Sequence, residues 1–312
     1  MKRTQIGLVI IALVMVLGFS SCKKADATGD IASPTDHSNV SSHMNASIDD
    51  AANVAGNSGS LAGKTYGPWV LVGATLDSIN ISQGIITISY DGTTIVDGKF
   101  TRTGTVRLQL ENFATGTHWI DQGAKLDLTF TAVKYTNVYT SAVYQYDGTQ
   151  QITNVTGGLA WKLLAGLQTG TITHRHTGTN ITVKFPDGSQ RAWNFNRLRT
   201  FSNDGATVSV AVSADQTEGG YNNVDAWGTN RKGNAFYNQI VTPIVFTNNC
   251  NSNYRDPVSG EDKHYVGGFT LDILFGVNAA GVVTTACPDY GFKVTFTNRR
   301  GQSESTVIRY WY

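Results

Sequence analysis

From about residue 66 onward, apolar and polar positions alternate with a period of two. Val106, Leu108 and Leu110 alternate with Arg107, Gln109 and Glu111. The same pattern recurs at Leu126/Leu128/Phe130, Ile181/Val183/Phe185, Val208/Val210/Val212, Phe269/Leu271/Ile273/Phe275 and Phe292/Val294/Phe296. Strict alternation rich in β-branched and aromatic residues predicts half-buried strands, one face inward and the other wet. Asp-Gly pairs at Asp91, Asp97, Asp147, Asp187 and Asp204 supply the positive φ angles of tight hairpin turns, which predicts successive antiparallel hairpins. The nearest approach to a helical period, Leu159–Leu167, is bracketed by Gly157, Gly158 and Gly166. The expectation is an all-β domain over residues 64–312, antiparallel and sandwich-like or a meander, with little or no helix in the mature domain. It forms one large unit or two tandem smaller ones, and the Gly- and Asn-rich stretch 217–233 is the natural seam.

The N-terminus reads differently. Met1-Lys2-Arg3 is followed by an apolar run, Ile6 to Phe19, broken only by Gly7 and Gly18. A charged start, a short apolar stretch and small residues describe a secretory signal peptide over residues 1–21. A membrane-spanning helix needs about 20 apolar residues, more than this run holds. Ser20-Ser21-Cys22 resembles the lipobox of bacterial lipoproteins, with Phe19 where Leu is usual. The resemblance implies cleavage before Cys22 and acylation of that residue, palmitate-type chains included. Each buried CH₂ contributes about 0.8 kcal/mol, so two or three chains anchor firmly. No Asp follows Cys22, the inner-membrane retention signal of some Gram-negative lipoproteins, so an outer-membrane location is expected. Lys23-Lys24-Ala25-Asp26 resembles the surface-export signal of Bacteroidota lipoproteins. Residues 22–63, rich in Ser, Asp, Asn, Ala and Gly, read as the lipidated cysteine and a flexible tether, with one weak helical turn at Ala46–Ala55.

Composition narrows the partners. Without residues 1–21 the formal charge is −1, from 22 basic and 23 acidic residues. A near-neutral chain has no electrostatic footprint for nucleic acid, and no polybasic run offers itself to anionic lipid. With Cys22 lipidated, Cys250 and Cys287 remain, a candidate disulfide in an oxidising compartment or two separate thiols.

Ile86-Thr87-Ile88-Ser89-Tyr90-Asp91-Gly92, leading to Asp97-Gly98-Lys99-Phe100-Thr101-Arg102-Thr103-Gly104, then Gly123 to Leu126 and Phe130, resembles a group of Bacteroidota lipoproteins of unknown function. Trp227-Gly228 through Asn234, Ile240 to Pro243, Cys250 and Cys287-Pro288-Asp289 resemble later segments of the same group. The resemblance implies secretion, β structure and the Cys250–Cys287 pair. It implies no activity and no cofactor.

Candidate chemistry is sparse. His174 and His176 share a strand face and offer two imidazoles to a metal, or simply a polar outward face. Asp91, Asp97, Asp187 and Asp204 offer carboxylates, each also explained as the first residue of a turn. Nucleophile elbows, zinc-protease motifs and phosphate loops are absent, so no catalytic residue is assigned. Tyr221, Asn223, Asp225, Trp227, Asn230 and Arg231 combine aromatic faces with amide and carboxylate hydrogen bonders, the set that recognises sugars. Asp77-Ser78-Ile79 matches a short O-glycosylation acceptor of exported Bacteroidota proteins, on Ser78. Three functions follow as rivals: a surface binding or adhesion lipoprotein with glycans as candidate ligands; a structural envelope lipoprotein acting through protein partners; and a hydrolase with carboxylates from distant strands.

Overall fold

A computed structural model describes residues 32–63, 71–248, 256–285 and 291–309. Cys22, Cys250, Cys287 and the expected signal peptide, residues 1–21, lie outside these residues. The strands are β1 (Ala74–Asp77), β2 (Ile85–Asp91), β3 (Phe100–Leu110), β4 (Lys125–Asn137), β5 (Val143–Asn154), β6 (Gly170–Lys184), β7 (Gln190–Asn203), β8 (Val208–Ser213), β9 (Gln216–Glu218), β10 (Tyr221–Thr229), β11 (Ala235–Thr247), β12 (Ser259–Val266), β13 (Phe269–Val277), β14 (Gly291–Thr297) and β15 (Ser303–Arg309). All pair antiparallel in one 15-stranded sheet, β1 through β7 and then β10 through β15 in chain order. The all-β expectation holds, as a meander.

No seam divides it. β10 pairs with β7 through Ala226↔Phe195 and with β11 through Trp227↔Tyr237, so the sheet runs unbroken past residues 217–233. Strand β8 lies beside β7 and β11 and packs Val210 with Phe201, Ile172 and Leu163 of the short helix Ala160–Leu164.

Four of the five Asp-Gly pairs sit at strand ends or connections, but Asp147-Gly148 lies inside β5. There the register slips, and Asp147 accepts a hydrogen bond from the Ala132 amide at 2.6 Å. Matching slips occur on β3, β4, β5 and β6, with positive φ at Gly104, Ala132, Gly148 and Asn180. Bulges bend strands and increase twist, and a line of them across neighbouring strands creases the sheet. Gly104 is required there: a Cβ on it would lie 2.3 Å from the Ala132 carbonyl oxygen.

The curled sheet encloses helix α1 (Ala32–Asn57), which corrects the flexible-tether expectation for those residues. Val40, Met44, Ile48, Ala51 and Ala55 recur at helical spacing and pack on Ile88, Val106, Leu108, Leu126 and Leu128 of the inner face. Each large side chain buried this way contributes about 1.5–3 kcal/mol. The helix is otherwise built of weak helix formers, Ser, Asn, Asp and Thr. Packing, not propensity, therefore holds it. No helix among the described residues is long and apolar enough to cross a membrane.

Candidate functional site

The six residues expected to form one sugar-binding cluster fall on different sides of the sheet. In a regular strand Tyr221, Asn223, Asp225 and Trp227 would share a face. The β10 register shifts between Val224 and Ala226, and the bulge turns Val224, Asp225 and Ala226 all into the core.

Asp225 thus belongs to a buried polar network beneath α1. It pairs with Arg197 at 2.9 Å and accepts from the Asn238 amide at 2.8 Å. Arg197 also donates to Ser41 and Asn45 of the helix. Ser33 meets His264 Nε2 at 2.8 Å, His43 Nδ1 meets the Tyr146 hydroxyl at 2.7 Å, and Ser47 meets that of Tyr135 at 2.8 Å. Three acids of α1 engage sheet arginines: Asp36 with Arg231, Asp49 with Arg199 and Asp50 with Arg102. Arg231 is therefore a clasp for the helix. Asn230 is buried and caps its hairpin, its side-chain oxygen accepting from the Lys232 and Asn234 amides.

Burial sets the protonation of this network. It pushes the imidazoles of His37 and His43 down to about 3. Burial likewise raises the Asp262 carboxyl to about 8, with the neighbouring Asp225 charge adding to the effect. Asp50 rises to about 6 by burial, against the opposing pull of Arg102.

His174 and His176 also face inward and are buried, which corrects the outward-face alternative. They stand in register with Arg199 and Arg197. Burial first, and the Arg199 charge second, holds His174 down to about 3 and His176 well below its usual value. Two guanidinium groups alongside make this a poor place for a cation. Among the described residues no group of three His, Cys, Asp or Glu side chains converges as a metal site.

The outer face carries the aromatic surface. Trp227, Tyr237 and Tyr265 are in-register neighbours on β10, β11 and β12. Tyr221 reaches across from the start of β10 and stacks on Tyr265, ring centroids 3.9 Å apart and 17° from parallel. The Gly219 turn lies against Tyr237, where a Cβ would come within 2.3 Å of the ring. Trp227 is half-buried and faces outward beside Asn194. Amides surround the cluster: Asn194 donates to the Trp227 carbonyl at 3.5 Å, Gln239 accepts from the Tyr265 hydroxyl at 2.9 Å, and exposed Asn223 holds a left-handed φ of 56°. Nearby charges are paired, Lys263 with Glu261 and Asp272, and Arg175 with Asp215. Tyr237 and Tyr265 were missed in the sequence, because their inward neighbours Asn238, Asp262 and His264 are polar and no apolar alternation marks the two strands. Their register with Trp227 was hidden as well.

The turn aspartates close turns. Asp91 accepts from the Thr93 and Thr94 amides, Asp187 from Ser189, and Asp204 from Ala206 and Thr207. Two other acids do share a surface groove of about 230 Å³ with Phe113 and Gln109, namely Glu111 and Asp127. Both accept from the same Gln151 amide nitrogen at 2.9 Å. Ser78 is exposed in a turn closed by Asp77 accepting from the Ile79 amide at 2.9 Å.

No protein-family model, no curated protein and no solved structure matches the chain.

Proposed function

We propose that the chain is an exported lipoprotein, held to the outer membrane by lipid on Cys22, whose outer sheet face binds carbohydrate. The observation that carries this reading is the outward cluster of Trp227, Tyr221, Tyr237 and Tyr265 amid amides and paired charges. Apolar sugar faces stack on aromatic rings, and Tyr and Trp combine large apolar area with a polar handle. Asn194, Asn223 and Gln239 supply hydroxyl partners. Membership of the Bacteroidota group, a Cys250–Cys287 disulfide, glycosylation at Ser78 and display at the cell surface belong to the same proposal.

The test is a glycan and polysaccharide array probed with the chain from residue 22 onward carrying Cys22→Ser, beside the same chain with Trp227→Ala. Binding lost in the variant supports the reading. Absence of binding across the array removes it.

A structural envelope lipoprotein with protein partners is the second reading, and strand β15 favours it. Among the described residues it is the last strand of the sheet, and it is largely exposed. Unpaired edges accept added strands.

A further inference from the structure

We propose that one hairpin end of the sheet is a membrane-facing surface that rests on the headgroups of an anionic bilayer. This rests on the lipid-anchor part of the reading above and is independent of carbohydrate binding.

An antiparallel meander gathers its hairpins at two ends. The β2–β3, β4–β5, β6–β7, β10–β11, β12–β13 and β14–β15 connections lie at one, and β3–β4, β5–β6 and β7–β8 at the other. Helix α1 runs between them. Asp36 pairs with Arg231 of the β10–β11 hairpin, whereas Gly56 lies against Leu159 and Trp161 of the β5–β6 connection. The chain before Ala32 therefore leaves from the first end. Cys22 is ten residues upstream, a span of at most about 35 Å when fully extended. An acyl anchor there holds this end toward the bilayer.

The two ends differ in charge. The first presents exposed Lys99, Lys184, Lys232, Arg299 and Arg300, with Arg191 and Arg231 half-buried behind them. Its acids are Asp91, Asp97, Asp187, Glu304 and the helix residue Asp36. Among the described residues seven bases thus face five acids. At the other end, among the described residues, Asp77, Glu111, Asp121, Asp204 and Asp256 outnumber Lys125, Lys162 and Arg309. The basic residues come from separate hairpins, which is why the sequence holds no polybasic run.

Apolar side chains join the cations. Val72, Ile95 and Tyr139 are 64%, 53% and 78% exposed. They sit on neighbouring tips: the Tyr139 hydroxyl donates to the Gly98 carbonyl at 3.0 Å, and Thr94 packs on Gly73. A tyrosine among aliphatic and basic residues suits the headgroup layer, where amphipathic rings concentrate. The other end has exposed apolar residues too, Ile79, Leu167, Val282 and Val283, but among an acidic excess.

The test is flotation of the unacylated chain (residue 22 onward, Cys22→Ser) with phosphatidylcholine vesicles, with and without phosphatidylglycerol. The chain is expected to float with the anionic vesicles and to release at high salt. Lys184→Gln with Arg300→Gln should weaken partition by roughly 25-fold, about fivefold per basic charge removed. Tyr139→Ser should weaken it less, and Ile79→Ser with Leu167→Ser not at all. No flotation with anionic vesicles, or equal loss from changes at the acidic end, overturns the proposal. Palmitate labelling of Cys22 in cells separates the two readings. Labelled protein whose unacylated form ignores vesicles sinks the surface alone, and unlabelled protein sinks the anchor.

Discussion

The two faces of this sheet are made by the same strands, yet they are chemically unlike. The inner face meets α1 through Arg, His and Tyr side chains, among them Arg102, Arg199, Arg231, His264, Tyr135 and Tyr146, each bonded to a residue of the helix. The outer face carries half-exposed rings, amides and charges paired among themselves. Buried polar groups are costly unless satisfied, so inner residues are tied to stability. Outer residues are released from that demand and are available for binding. On β10 the division falls between Asp225 and Trp227, two positions apart.

The comparison breaks first at the helix. Ile48→Asp places a charge where Ile48 is 3% exposed, and we expect several kcal/mol of destabilisation, read as failure to give a cooperative unfolding transition. Retention of a native-like transition would mean that α1 is dispensable. Next is the Asp50–Arg102 pair. Arg102→Leu leaves a buried carboxylate beside Tyr90, and removing one partner of such a pair costs about 3–5 kcal/mol. Adding Asp50→Asn should recover part of that loss in urea unfolding, whereas no recovery would show that the two act separately.

Acid should act on the inner face through its imidazoles. His37, His43 and His174 are held down to about 3, and His176 and His264 are also lowered, each chiefly by burial. A depressed folded-state pKa contributes stability above the ordinary value of 6.5 and loses it as pH falls toward 3. Asp262, raised to about 8, acts oppositely: its contribution is full below 3.8 and lost as pH rises through 8. The urea midpoint should therefore fall steeply between pH 6 and pH 3, and His174→Gln should flatten the slope. A midpoint level across that window would contradict the buried network. The smallest stability effect belongs outside. Gly219→Ala meets the Tyr237 ring and a positive φ, and should loosen the β9–β10 turn by about 1–2 kcal/mol, visible as faster amide exchange over residues 216–223.

Much of the inner face was legible, because alternation names core residues such as Leu108, Leu126 and Val183 without any structure. Helix α1 was not. Its apolar stripe is narrow, and the Ser33, Asp36, His37, His43 and Ser47 that it also buries read as solvent-loving until their partners, over 80 residues away in most cases, are known. The outer site was half legible. Trp227 and Tyr221 stood out by residue type, but the β10 bulge that removes Asp225 from their face leaves no mark in a local pattern. Asp147-Gly148 taught the converse, since a strong turn signal became a bulge once strands on both sides supplied a ladder.

The most direct test of this division is the affinity of Trp227→Ala for a polysaccharide that the parent chain retains, measured on protein whose thermal unfolding is also recorded. Binding should fall at least tenfold with the unfolding midpoint within about 3 °C of the parent, the shift expected for roughly 1 kcal/mol in a chain this size. Unchanged affinity, or binding lost only together with the fold, would contradict the division.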